Sequence, residues 1–346
     1  MKRTDYRIYR MGGNPTFAGP ADSAATRLAG IARYQPISLK RSLYRSAVRA
    51  ATITRLDRFV SCREENPIVN YPAFDFFLWM DSIENKLGLG ELSAAVIWPP
   101  QIDRGRVYVH LFDSDCSPVG FAKISFNDQN DISIDSEAKT LQSLHDAELQ
   151  TFCVPAVLDY QSASFEQHAV LVTQPIPIDA KPLRKNLISY PTACVDEISG
   201  EYRPIGPHGF ESLSWWNRFL DGCDGFSPEF VRELKEANLA NTDCCRSHGD
   251  FGTHNMVKEP NGDLWVYDWE ESCEDAPILA DEISYFLGVH RSSNPSKHQL
   301  LFERFRAHFF DKNNPQRRVD IMLALAFRSI VNRPSTDLII SRWNQL

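Results

Sequence analysis

The stretch His248-Gly249-Asp250-Phe251-Gly252-Thr253-His254-Asn255, with Leu264-Trp265-Val266-Tyr267-Asp268-Trp269-Glu270 shortly after it, decides how this chain is read. Asp250 stands five residues before Asn255 in loop-like sequence, and Asp268 ends a short apolar run that reads as a strand. The layout gathers two carboxylates and an amide around one point. Moving a phosphoryl group calls for such a set: a base that orients an acceptor hydroxyl, and oxygen ligands that hold Mg²⁺ against the phosphates. Oxygen donors of this kind suit a hard cation.

Upstream of that stretch, from about residue 92, the pattern is that of short strands. Ala94-Ala95-Val96-Ile97-Trp98, Arg106-Val107-Tyr108-Val109-His110-Leu111-Phe112 and Gly120-Phe121-Ala122-Lys123-Ile124-Ser125-Phe126 are β-branched and aromatic runs separated by turn-like sequence, which predicts an antiparallel meander. A helix should follow, capped by Asp135 or Ser136 and striped by Ala138, Leu141 and Leu144. Val154–Tyr160 and His168–Thr173 predict two more strands, and Gln174-Pro175-Ile176-Pro177 stops the second because proline cannot continue a ladder. Beyond residue 205 the pattern is mostly helical, with candidates at 211–220, 228–240, 279–290, 297–310, 317–332 and 335–345. A small β-rich half followed by a helical half is an α+β, two-lobed arrangement.

H-G-D-x-x-x-x-N at 248–255, D-W-E at 268–270, and Pro277 with Asp281 downstream resemble the aminoglycoside phosphotransferase and choline kinase group of kinase-fold small-molecule kinases. The resemblance covers roughly residues 90–290. It implies a protein-kinase-like fold with an antiparallel-sheet N-lobe and a mainly helical C-lobe, Asp250 as catalytic base, Asn255 and Asp268 as Mg²⁺ ligands, ATP as the usual nucleotide, and a structural role for Asp281. It also implies that Lys123, on the third strand of the meander, contacts the ATP phosphates with Glu137 on the next helix as its ion-pair partner. Thr173-Gln174-Pro175-Ile176 resembles the hinge that meets the adenine, where Thr173, Gln174 and Ile176 keep amide hydrogens and the prolines do not. One part departs from the kinase pattern: no G-x-G-x-x-G lies between the first two strands, and Gly105 is the only glycine of that loop.

Composition agrees with a large globular chain. Its 346 residues are 43 % hydrophobic and 24 % charged, enough for about two domains. We expect a basic N-terminal extension over 1–85, a nucleotide-binding N-lobe over 86–173, and a catalytic and substrate-binding C-lobe over 174–346. Net charge is −8, yet residues 1–60 carry twelve Lys/Arg against three Asp, which makes them +9 and the remainder −17. An acidic body argues against nucleic acid as a partner, because duplex binding depends on neutralising phosphates. Leu43-Tyr44-Arg45-Ser46-Ala47-Val48-Arg49 reads as a basic helix that either packs on the body or touches an anionic membrane at its periphery; an Arg-rich presequence is a third reading. Gly12, Gly13, Pro15, Gly19 and Pro20 read as a loop before it. Eight scattered cysteines with no C-x-x-C pair, and no apolar leader after Met1-Lys2-Arg3, point to a cytoplasmic setting.

Other residues carry plainer expectations. His248 should shape the loop, His254 should not be a metal ligand, and Trp215, Trp216 and Phe219 should form helix core. Residues 241–282 hold eleven acids against Arg246 and Lys258, a field that would attract a cationic acceptor. The expected activity is ATP- and Mg-dependent phosphorylation of a hydroxyl on a small molecule such as an amino sugar, sugar or amino alcohol. Two alternatives compete with it. A two-metal phosphoesterase on His248, Asp250, His254 and Asp268 lacks the G-N-H-[DE] signature, whereas a non-catalytic kinase-like module that binds a nucleotide or a partner is opposed by the presence of all four of Lys123, Asp250, Asn255 and Asp268.

Overall fold

Gly12 and Gly13, both at positive φ (63° and 85°), close a two-residue turn between β1 (Tyr6–Met11) and β2 (Asn14–Pro20). Such a turn needs left-handed backbone at both central positions, which glycine adopts without steric cost. The computed structural model describes residues 4–34, 38–100, 105–164, 167–183, 190–205, 209–239, 242–290, 294–310, 314–331 and 333–346. The expected loop over Gly12–Pro20 is therefore mostly strand, with only its two leading glycines in the turn. The loop that would carry the missing glycine motif falls largely at 101–104, outside the described residues.

The chain divides into two compact units, one of residues 1–142 with 155–176 and one of residues 143–154 with 177–346. In the first, β1 and β2 join β3 (Cys62–Glu64), β4 (Ser93–Ile97), β5 (Arg106–Phe112), β6 (Pro118–Ser125), β7 (Val157–Gln161) and β8 (Val170–Thr173) in an eight-stranded sheet ordered β3-β1-β2-β4-β5-β6-β8-β7. Its ladders are antiparallel, and the meander β4-β5-β6 stands where the sequence predicts it. One face, with Ile8, Val96, Val109, Ala122 and Val172, is covered by Phe76, Met80 and Ile83 of α3 (Phe76–Leu87). The other is covered over Tyr9, Phe17, Ala95, Ile97 and Phe112 by α1 (Ala24–Arg33) and α2 (Leu39–Ile53), through Ile31, Tyr34 and Val48. Residues 1–85 are thus built into this unit: β2 pairs directly with β4, so the boundary expected at 85/86 is not a break in the sheet.

The helix after β6 is α4 (Asp128–Asp146), which starts well before the expected cap at Asp135 or Ser136. Asn127 supplies the cap: its Oδ1 accepts from Asn130 N at 2.9 Å. Asp135 lies inside the helix and its carboxylate accepts from Tyr160 (2.6 Å) and Ser162 (3.1 Å).

The second unit holds β9 (Lys181–Pro182), α5 (Thr192–Ser199), β10 (Arg203–Pro204), α6 (Trp216–Gly222), α7 (Pro228–Lys235), β11 (Asp243–Ser247), β12 (Met256–Lys258), β13 (Leu264–Val266), β14 (Cys273–Pro277), α8 (Ala280–His290), α9 (His298–Phe309), α10 (Pro315–Val331) and α11 (Arg333–Ile340). The strands make two small sheets, β10-β11-β14 and β13-β12-β9. A core of Trp215, Trp216, Phe219, Phe230, Phe302, Phe305 and Leu325 joins the helices, and here the two tryptophans and Phe219 are helix core as expected. With a sheet-dominated first unit and a mainly helical second, the molecule has the α+β, two-unit character read from the sequence.

Candidate active site

In the first unit, Lys123 lies on β6 between Ala122 and Ile124, whose side chains are buried in the α3-covered core. Strand alternation sends Lys123 to the opposite face. There its Nζ donates to Glu137 Oε2 of α4 at 2.6 Å, with both side chains less than 10 % exposed. A buried ammonium and a buried carboxylate are each costly alone, so the pair fixes strand and helix in one register. Thr173 ends β8 and its Oγ1 donates to Phe121 O at 3.4 Å. The amide of Gln174 donates to Ala156 O at 2.8 Å, so among the three hinge residues expected to donate to a base this N–H is already committed to the backbone. Ile176 accepts on its carbonyl from Arg33 Nη1 of α1 at 2.6 Å.

In the second unit, β11 runs into the loop Ser247–Asn255 and β13 runs into Asp268. Asp281, in the first turn of α8, holds the start of the loop: its carboxylate accepts from Ser247 Oγ (2.7 Å), His248 N (2.8 Å) and Gly249 N (3.1 Å). Burial pushes the Asp281 carboxyl up from its usual value, against those hydrogen bonds. Gly249 sits at φ +83°, and a Cβ there would stand 2.0 Å from Glu271 O, so the motif's glycine is fixed by both backbone and space. His248 is buried, with Nε2 3.1 Å from Tyr267 O and its ring 4.5 Å from Trp269. Burial lowers its pKa and keeps it neutral, in keeping with the packing role expected of it.

Asn255 joins the two motif segments. Its Nδ2 donates to Asp250 O (3.0 Å), and its carbonyl accepts from Tyr267 N (3.1 Å), one residue before Asp268. With the amide nitrogen so engaged, the side-chain oxygen is the end Asn255 can offer a cation. Asp268 takes left-handed backbone (φ +68°), an uncommon state for a non-glycine residue that turns the chain sharply after β13. The Asp268 and Glu270 carboxylates come within 4.8 Å of each other. The donor set Asn255, Asp268 and Glu270 is all oxygen and fits Mg²⁺ in chemistry.

Asp250 accepts from His254 Nε2 on Oδ2 at 3.0 Å, and Arg328 Nη1 of α10 stands 3.4 Å from Oδ1 while also donating to Gly249 O. Burial alone would raise the Asp250 carboxyl, but the His254 hydrogen bond and the Arg328 charge outweigh it and hold the group below the usual carboxylate range. It therefore stays ionised.

Two residues here were missed in the sequence. His254, expected not to be a metal ligand, is not among the metal-binding groups found in the described residues, but its bond to Asp250 carries no signal in the sequence. Arg328 carries no motif signal, yet it sits in the apolar second half of α10 and an arginine amid such a run must find a partner when buried; it is only 3 % exposed. Asp250, Asn255 and Asp268 are brought together within the second unit, and Lys123 and Glu137 within the first.

No family model matches the chain, and no curated protein matches it. Solved structures do. An aminoglycoside phosphotransferase APH(4)-Ia thermostable mutant, in ternary complex with ADP and hygromycin B, aligns at 14 % identity over 77 % of this chain and 95 % of that one, TM-score 0.43. The streptomycin-ATP-APH(2")-IIa ternary complex aligns at 14 % identity over 77 % and 99 %, TM-score 0.43. Choline kinase LicA from Streptococcus pneumoniae aligns at 17 % identity over 78 % and 97 %, TM-score 0.41.

Proposed function

We propose that the protein is a small-molecule kinase that transfers the terminal phosphoryl group of a purine nucleoside triphosphate, ATP on the sequence reading, to a hydroxyl of an amino sugar, sugar or amino alcohol. The observation that carries this is the hydrogen-bonded frame joining Asp250, Asn255 and the Tyr267-Asp268 turn, anchored by Asp281 and Arg328. In this reading Asp250 accepts the hydrogen bond of the acceptor hydroxyl and takes its proton as the new P–O bond forms. Asn255 and Asp268 would hold Mg²⁺, which neutralises charge on the phosphates. Lys123, oriented by Glu137, contacts the phosphates, and Thr173 and Ile176 flank the base. The acidic run 241–282 favours a cationic acceptor, since field of one sign raises the local concentration of the opposite one.

The test is nucleotide consumption over a panel of sugars, aminoglycosides and amino alcohols, with two variants. Asp250→Asn should keep Mg-nucleotide binding and lose turnover by about 10²–10⁴-fold, the usual share of acid-base catalysis. Asp268→Ala should instead weaken Mg-nucleotide binding itself. Unchanged turnover in Asp250→Asn would overturn the reading.

A further inference from the structure

Helix α2 carries two opposite faces. Val48 and Thr52 are buried, with Tyr44 packed beside them on the sheet. On the far side, Leu39, Leu43, Ser46, Ala50 and Ile53 recur at intervals of four, three, four and three, the spacing of one helical stripe. Leu39, Leu43 and Ile53 are exposed, and Leu56, Phe59 and Val60 follow shortly after the helix end in sequence; all six lie between 53 and 77 % exposed. Six large exposed apolar side chains within 22 residues, three of them on one helix face, are more than scattered single exposures and point to an interaction site. Lys40 and Arg49, both exposed, fall on its two margins, and exposed Arg55 and Arg58 flank its continuation. From Ser23 to Leu56 the chain has no Asp or Glu.

We infer that this face of α2 and the segment to Val60 is a docking surface for an anionic lipid bilayer. The apolar stripe would enter the headgroup boundary while the lysine and arginines on its margins meet lipid phosphates, their long stems allowing the charges to stay in the polar layer. Charge separates this occupant from its rivals. A symmetric dimer would set this patch against itself and bring its cations together, and the segment's one carboxylate, Asp57, is buried against Arg27. A nucleic acid would use the cations and leave six apolar side chains in water. An anionic bilayer uses both, and each basic residue near such a surface contributes about 1 kcal/mol.

The experiment is co-sedimentation of the full chain with vesicles of phosphatidylcholine alone and of an equal mixture with phosphatidylglycerol. Binding is expected to the mixed vesicles only, and to fade as salt rises towards about 1 M, where the Debye length is about 3 Å. Leu43→Glu, at an exposed position, should fold normally by circular dichroism and lose most of the bound fraction, as should Arg49→Glu. Light scattering without lipid should give a monomer. Failure of the intact chain to sediment with mixed vesicles, equal binding by Leu43→Glu, or a dimer that Leu43→Glu dissociates would overturn the inference.

Discussion

Asp250 shows how single residues here are tuned by neighbours that no motif names. Its depressed pKa fixes the sign of a pH effect. A carboxyl whose folded value lies below the unfolded one, about 3.9, contributes stability that is present above that pH and is lost as pH falls towards the folded value. Asp281, raised by burial, works in the opposite sense, but it is common to wild type and an Asp250 variant and drops out of their difference. Asp250→Asn should therefore be less stable than wild type at neutral pH, and the gap should close below about pH 4; urea unfolding at a series of pH values reads this, and a pH-independent gap would contradict it. Arg328 can be probed beside it. Arg328→Met removes the charge that helps hold Asp250 ionised and leaves Gly249 O without that donor, so stability should drop by about 1–3 kcal/mol and the acid limb of the rate profile should move to higher pH. The motif residues Asp250, Asn255 and Asp268 were legible because their spacing is local. Arg328 was not, because its partner lies 78 positions away and only the packed fold brings α10 to the loop.

At the scale of elements, the meander and its lysine were readable because alternation is a property of neighbouring residues. The start of α4 was misread for an equally local reason: Asn127 and Asp135 are both competent caps, and the polar first turns of α4 hide its onset, so only the observed Asn127-to-Asn130 bond decides between them. What the sequence did place correctly was the meeting of β6 and α4 through Lys123 and Glu137, and that pair makes a sharp prediction. Either single change, Lys123→Met or Glu137→Gln, removes the ionic partner of a buried charge, so most of the cost of the pair falls on whichever change comes first. The double variant should cost less than the sum of the two, with a coupling of about 0.5–3 kcal/mol in unfolding free energy. A parallel cycle in KM for the nucleotide should show the same sign if the pair positions phosphates, whereas additivity in KM alongside coupling in stability would confine the pair to a structural role.

At the scale of the whole chain, charge asymmetry suggested that residues 1–60 stand apart from the body, and charge is a property of surface composition that says little about pairing. What integrates this segment is buried and apolar: Tyr6 and Ile8 lie in the α3-covered core, while Tyr9, Phe17, Ile31, Tyr34 and Val48 cover Ala95, Ile97 and Phe112 on the other face. β2 also hydrogen-bonds β4, so removing it would leave an open edge beside the strands that lead to Lys123. Burying a large side chain is worth roughly 1.5–3 kcal/mol, and seven of them together are on the order of 10 kcal/mol or more, which matches or exceeds the roughly 5–15 kcal/mol stability of a typical domain. A chain lacking residues 1–60 should therefore lose cooperative thermal unfolding in the sheet unit and aggregate, and nucleotide binding should be lost with it. Point changes on the outer face of α2, such as Leu43→Glu, should by contrast leave the melting temperature within about 2–4 °C of wild type, because they touch no buried contact. Scanning calorimetry on both would decide the matter: a soluble truncated chain with an intact cooperative transition would show that residues 1–60 are an appendage after all.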